Sequence, residues 1–130
     1  MPLPSQHIAV TLPLLAAVPK QWRMPLFAGA VLIDVDHFVD VAWMHWGNDE
    51  ERAFVPLHGL DVIAAVVALA WSRRDERIAA FALGMALHHA MDYAAERDWV
   101  KIALLWRAKR RFFAPHIRRE WMHRSPVTWF

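Results

Sequence analysis

The chain of 130 residues is the size of one domain. Its composition, with 57% hydrophobic and 22% charged residues, excludes a disordered polymer. It contains no cysteine, which excludes disulfides, thiolate metal sites and cysteine nucleophiles, so any metal must be held by nitrogen and oxygen ligands. The formal net charge of +2 is unevenly divided, because residues 99–130 carry eight Lys and Arg against Glu120 alone, whereas residues 1–98 are acidic.

Helices are predicted throughout, because the apolar runs are long, rich in Ala and Leu, and lack the alternation of a strand. Ser72 with Asp75 three residues later is typical of a capping box for the fourth helix. The prolines and the capping residues set the expected helix bounds at roughly 7–18, 25–46, 56–71, 73–95 and 98–113, with a short terminal helix after Pro115.

These elements predict an all-α fold. We expect an up-and-down antiparallel bundle of four main helices in residues 1–98, which carries any metal site. A short basic, aromatic-rich helical tail, residues 99–130, is expected to pack on the same domain.

The connections between the predicted helices alternate in charge, being basic after the first and third and acidic after the second and fourth. This pattern is typical of transmembrane helices whose basic loops face the cytoplasm, although a small soluble bundle shows it by chance as well. Only residues 1–19 approach the roughly 20 apolar residues that a spanning helix needs. We expect a membrane protein with the basic loops and the tail on the cytoplasmic side and lipid as a partner; a nucleic-acid partner is disfavoured, because no binding motif accompanies the charge.

The second predicted helix contains Asp34, Asp36, His37 and Asp40 inside an otherwise apolar run. Ionisable groups in such a run are costly unless something compensates them, and a divalent cation does so. The alternative is a hydrogen-bonded polar network, or a buried Asp beside an Arg.

Histidines with metal-ligand spacing occur in three further places. His88 and Asp92 lie at i,i+4 on the fourth helix, whereas His89 points about 100° away and is expected to support the site or the core. His58 lies near the start of the third helix and His7 near the start of the first. In an antiparallel bundle these starts lie beside the ends of the second and fourth helices, so all the candidate ligands should meet at one pole.

The order of these motifs resembles that of a family of small helical, inner-membrane-associated proteins described as metal-dependent hydrolases. The family pattern is an early His, Pro-Asp-x-Asp-His, a His-containing element and Gly-x-x-x-His-x-x-x-Asp. The matching elements, over about residues 5–95, are His7, Ile33-Asp34-Val35-Asp36-His37, Leu57-His58-Gly59, and Gly84 through His88 to Asp92. Ile33 stands where the family has proline, and the element around His58 lacks the second histidine and the Ser or Thr of the family. The resemblance implies a metal-dependent hydrolase of the bacterial inner membrane, and the His/Asp ligation is also similar to that of helical zinc phospholipases and nucleases.

We therefore predict a membrane-associated hydrolase in which one or two divalent cations activate water against a phosphoester or similar bond of a small or lipid-like substrate. Zinc is the expected metal, with manganese and iron as alternatives. The expected metal ligands are His7, Asp36, His37, His58, His88 and Asp92. Asp34 and Asp40 are expected to supply the catalytic base or a bridging ligand. The alternative function is a non-catalytic membrane structural or assembly protein with a polar or metal-binding core.

Overall fold

The computed structural model describes residues 4–38 and 56–96, and every regular element within these ranges is helical. The four long elements are α1 (Pro4–Ala17), α2 (Lys20–Val31), α3 (Leu60–Arg73) and α4 (Glu76–Glu96). Two short 3-10 helices, η1 (Leu32–Val35) and η2 (Pro56–His58), follow α2 and precede α3. The prediction of an all-α bundle of four main helices is confirmed, and the predicted basic tail lies outside the described residues.

The second helix has other bounds than the sequence predicts. It begins at Lys20, with Pro19 as the residue before it, so Pro25 lies inside the helix and not at its start. The fixed φ of Pro19 (−53°) suits a helix entry, and the backbone N–H of Trp22 donates to the carbonyl of Pro19 at 2.9 Å to close the first turn. The regular α-helix ends at Val31 and tightens into η1.

The tighter winding of η1 decides which side chains face the interior. A 3-10 helix has three residues per turn, so residues at i and i+3 lie on the same side. Leu32 and Val35 are accordingly exposed, at 57% and 56%, whereas Ile33 and Asp36 are buried, at 2% and 4%. The segment therefore turns Leu32 and Val35 to solvent, whereas Ile33 and Asp36, followed by the buried His37, face the interior.

The turn between α3 and α4 also departs from the prediction. Asp75 caps α4, because its Oδ1 accepts two backbone N–H groups of the first turn at 2.8 Å and 3.3 Å. Ser72 takes no part in this cap, since its hydroxyl donates to the carbonyl of Leu69 at 2.9 Å within α3. Arg74, at φ 50°, adopts the left-handed conformation that ends α3. The capping box predicted for Ser72 is therefore wrong.

Two glycines bring the backbones of α2 and α4 into contact. A Cβ added to Gly29 would collide with the backbone carbonyl of Phe81, and a Cβ added to Gly84 would collide with that of Leu26. No side chain fits between the helices at this crossing, so both positions require glycine. The close crossing fixes the register of α4 against the end of α2.

The interior of the bundle is polar to an unusual degree. Buried polar and charged residues are as numerous as buried apolar ones among the described residues. The buried polar residues are His7, Thr11, Asp36, His37, His58, His88, His89 and Asp92. Buried polar groups are costly unless they are hydrogen-bonded, ion-paired or bound to metal, so this interior indicates a site.

In the described ranges, no helix combines the length and the apolar character needed to cross a membrane. Helices α1 to α3 have 12 to 14 residues, whereas a spanning helix needs about 20. Helix α4 has 21 residues but contains His88, His89 and Asp92 and has charged residues at both ends. The predicted transmembrane helices are therefore not found, and this prediction is wrong.

Candidate metal centre

Side chains from every described helical segment except α2 and α3 meet at one pole of the bundle. His7 comes from the first turn of α1, Asp34 from η1, and His37 from the residues directly after η1. His58 ends η2, and His88 and Asp92 lie one turn apart on α4. We refer to the following six residues as the His/Asp cluster: His7, Asp34, His37, His58, His88 and Asp92.

Asp34 lies at the centre of the His/Asp cluster. Its Oδ1 is 3.3 Å from Nε2 of His58, 3.3 Å from Nε2 of His88 and 3.5 Å from Nε2 of His37. The Nε2 atoms of His58 and His88 are themselves 3.0 Å apart. One carboxylate oxygen thus faces three imidazole nitrogens that come from three different segments of the chain.

Asp92 connects the opposite side of the cluster to α1. Its Oδ2 lies 3.2 Å from Nε2 of His88 and 3.9 Å from Nε2 of His58, while its Oδ1 lies 3.5 Å from Nε2 of His7. The rings of His7 and His88 stack with centroids 3.9 Å apart and an angle of 10° between their planes. The stacked rings place Nε2 of His7 beside Oδ1 of Asp92 and Nε2 of His88 beside Oδ2 of the same carboxylate.

Hydrogen bonds at Nδ1, the ring nitrogen that faces away from Asp34, orient the imidazoles of His58 and His88. Nδ1 of His88 donates to the carbonyl of Ala30 at 2.9 Å, and Nδ1 of His58 donates to Oδ2 of Asp36 at 3.1 Å. The same oxygen of Asp36 also accepts the backbone N–H of Leu57 at 2.9 Å. Because a neutral imidazole that donates from Nδ1 offers a lone pair at Nε2, both rings present an acceptor to Asp34.

Lone-pair atoms that converge in this way are the ligands that a cation site requires. Two lone pairs 3.0 Å apart, with a carboxylate oxygen 3.3 Å from each, repel one another unless a proton or a cation lies between them. Ligand atoms at about 2.0–2.1 Å from a cation lie roughly 3 Å apart, as these atoms do. Three overlapping sets of ligand atoms could hold an ion: His7, Asp34 and His88; Asp34, His37 and His58; His58, His88 and Asp92.

Without metal, protons take the place of the cation. Burial lowers the pKa of His58 and His88, but hydrogen bonds to Asp34 and the neighbouring carboxylates outweigh it and raise the pKa to about 9 for His58 and about 10 for His88. Burial raises the pKa of Asp34 and Asp92, but the hydrogen-bonded imidazoles hold both well below the usual range. The metal-free cluster therefore contains ionised carboxylates and protonated imidazoles at neutral pH.

The structure brings five of the six predicted ligands into the sets that could hold an ion. The exception is Asp36, whose Oδ2 instead holds His58 in position. Asp34, expected as a base or a bridging ligand, lies among the candidate ligands. Asp40 lies outside the described residues.

His89 supports the cluster from the side. Its Nδ1 donates to the carbonyl of Met85 at 2.8 Å, and its ring lies 5.6 Å from that of His58 and 5.8 Å from that of His88. Burial lowers the pKa of His89, so its ring is neutral at physiological pH. It lies outside the three sets of candidate ligands.

One contributor was missed at the level of sequence. The backbone carbonyl of Ala30 orients His88, and no sequence pattern points to a carbonyl. The carbonyl of Ala30 reaches His88 where α2 and α4 approach closely, at Gly29 and Gly84.

Comparison of the chain with protein-family models, with curated proteins and with solved structures finds no match. The resemblance to the metal-dependent hydrolases therefore depends on the sequence motifs alone.

Proposed function

We propose that this protein is a hydrolase that depends on a divalent cation bound in the His/Asp cluster, with zinc as the preferred ion. The observation that carries the proposal is the arrangement of Nε2 of His58, Nε2 of His88 and Oδ1 of Asp34, three lone-pair atoms 3.0–3.3 Å apart. Imidazole and carboxylate together suit zinc, and manganese or iron would also be accepted. The pairing of ring nitrogens with Asp36 and Ala30 is the support that metal-binding histidines usually have.

A divalent cation in this position would lower the pKa of a water molecule and polarise the bond to be cleaved. Asp34 is the most exposed of the six members of the His/Asp cluster, with 16% of its side chain exposed, so water and substrate would approach from its side. In a phosphoester, the water oxygen forms a bond to phosphorus while the bond from phosphorus to the leaving alcohol breaks. The water gives its proton to a carboxylate that the cation does not bind, for which Asp40 is the candidate from the sequence, and the leaving alcohol takes up a proton in turn.

The substrate is proposed to be lipid-like because an apolar surface adjoins the cluster. Leu32 and Val35 flank Asp34 on η1 and are more than half exposed. A lipid surface would cover these side chains, and the basic tail of residues 99–130 would contact anionic headgroups. A phosphoester near the surface of a bilayer would then lie close to Asp34.

The hydrolase proposal is tested by metal analysis followed by an assay. Protein purified without added metal is expected to contain near-stoichiometric zinc, manganese or iron, and to hydrolyse bis(4-nitrophenyl) phosphate in a chelator-sensitive manner. His58→Ala should abolish both metal binding and turnover, whereas Asp61→Asn, on the first turn of α3 outside the candidate ligand sets, should retain both. Bound metal with no turnover on phosphoesters would favour a non-catalytic metal-binding protein, and absence of metal would overturn the proposal.

The lipid proposal has its own test. Co-sedimentation with vesicles of anionic phospholipid is expected for the wild type and should weaken in the variant Leu32→Ser/Val35→Ser. Val67→Ser on α3, also an exposed apolar position, serves as the matched control and should bind as the wild type does. Equal binding by both variants would remove η1 from the proposed contact.

A further inference from the structure

The His/Asp cluster contains more ligand atoms than one cation uses. Zinc takes four ligands in structural sites and usually three protein ligands in catalytic sites. The cluster offers four imidazoles and two carboxylates, and all of them belong to sets whose ligand atoms lie within 4.8 Å of one another. With one ion, at least two buried ligands would remain unused, and buried unused ligands are costly.

Four of the other candidate ligands form two pairs of imidazoles, and each pair forms a set with Asp34. One candidate set consists of His7, Asp34 and His88, and another consists of Asp34, His37 and His58. Asp34 belongs to both of these sets and each imidazole belongs to one of them; the third set, His58, His88 and Asp92, takes one imidazole from each. Oδ1 of Asp34 is 3.3 Å from Nε2 of His88 in the first set and 3.3 Å from Nε2 of His58 in the second.

We propose that the cluster binds two divalent cations that share Asp34 as a bridging carboxylate, an inference that rests on the proposed function. The first cation is held with His7 and His88, and the second with His37 and His58. Asp92 completes the first set, because its two oxygens lie 3.5 Å and 3.2 Å from Nε2 of His7 and His88.

The two positions differ in the number of ligands that the described residues supply. The first has four protein ligands, as structural zinc sites have. The second has three, which leaves a coordination position for water or substrate, and its shared ligand Asp34 is the one beside solvent. The second cation is thus the one that faces the substrate, and the first anchors α1 to α4.

Charge also favours two cations for an anionic substrate. One divalent cation brings two positive charges to the three carboxylates of Asp34, Asp36 and Asp92, whereas two divalent cations bring four. Only the pair gives a net positive charge from metal ions and carboxylates alone, which favours an anionic phosphoester. A pair of cations also stabilises both the attacking and the leaving oxygen of a phosphoester in the transition state.

The number of ions is measured directly. The metal-depleted full-length chain is titrated with zinc, and bound ions are counted by native mass spectrometry. The wild type is expected to bind two ions, and His7→Gln and His37→Gln one each, with circular dichroism to verify folding. Asp61→Asn, which changes a carboxylate on α3 outside both sets, is the control and should bind two. One ion in the wild type overturns the two-ion proposal and leaves the proposed function standing; no ion overturns both.

A second measurement tests the shared carboxylate without any variant. The wild-type chain is loaded with two equivalents of manganese and examined by electron paramagnetic resonance. Two ions bridged by Asp34 are expected to give an exchange-coupled spectrum. Two bound ions with the spectrum of isolated manganese would overturn the shared ligand.

Discussion

Nδ1 of His88 donates a 2.9 Å hydrogen bond to the backbone carbonyl of Ala30, the residue after the glycine at which α2 crosses α4. An α-helical carbonyl is normally satisfied by an N–H four residues later, but Ala30 lies in the last turn of α2, where carbonyls lack such partners. The end of one helix thus orients a candidate ligand on another. The packing of the bundle and the chemistry of the site are therefore coupled at this point.

Gly84→Ala should damage stability and metal binding together. The added methyl group would collide with the backbone carbonyl of Leu26, so α4 must move away from α2 and from the carbonyl of Ala30. We expect a loss of about 1–3 kcal/mol in the free energy of unfolding, measured by urea titration, and weaker zinc binding. Ala86→Ser, exposed on the same helix, is the control. Unchanged stability in Gly84→Ala would contradict the close crossing.

Asp36→Asn should weaken metal binding without removing a ligand from the candidate sets. The amide oxygen of Asn can still accept from Nδ1 of His58, but it lacks the negative charge of the Asp36 carboxylate, so it orients the imidazole more weakly and makes Nε2 a poorer ligand. We expect a 10–100-fold lower zinc affinity by competition with a chelator of known affinity. Asp61→Asn changes the same functional group outside the sets and should leave the affinity as it is. A complete loss of binding would instead assign Asp36 as a direct ligand.

Much of the site could be predicted from the sequence because α-helical spacing is regular. His88 and Asp92 are one turn apart, and the antiparallel topology brings the early His7 to the same pole. The roles of Asp34 and Asp36 could not be assigned in this way. The chain changes from α to 3-10 winding at Leu32, which rotates the side chains that follow, and that change depends on tertiary packing rather than on local propensity.

The transmembrane prediction failed for a related reason. Charge alternation in the loops is a property of the whole chain, whereas crossing a bilayer requires one long uninterrupted helix. The breaks after Ala17 and Val31 divide the apolar sequence into helices of 14 and 12 residues. Where such a break falls depends on Pro19 and on the η1 turn, and the latter is not visible in a hydropathy pattern.

Metal-free protein should be most stable in mildly acidic solution. The raised pKa values of His58 and His88 stabilise the fold fully below about pH 6.5, and this contribution is lost as pH rises through about 9 to 10. The lowered pKa values of Asp34 and Asp92 act in the opposite sense, so their contribution is present above about pH 4 and is lost as pH falls below it. Urea unfolding of chelator-treated protein from pH 3 to pH 10 should show a maximum between about pH 4 and pH 6.5. A maximum above pH 8 would contradict protonated imidazoles in the cluster.

Metal binding should release protons and become tighter as pH rises. At neutral pH the imidazoles of His58 and His88 carry the extra proton, because their pKa values of about 9 and about 10 lie above it. A cation needs the lone pair at Nε2 and must displace that proton, so zinc affinity should increase from pH 6 towards pH 9. Calorimetric titrations in two buffers with different ionisation enthalpies measure the number of protons released. His58→Ala/His88→Ala removes both proton carriers, and zinc added to this variant should release none from them. Proton uptake by the wild type, or binding that does not depend on pH, would place the cation away from these two imidazoles.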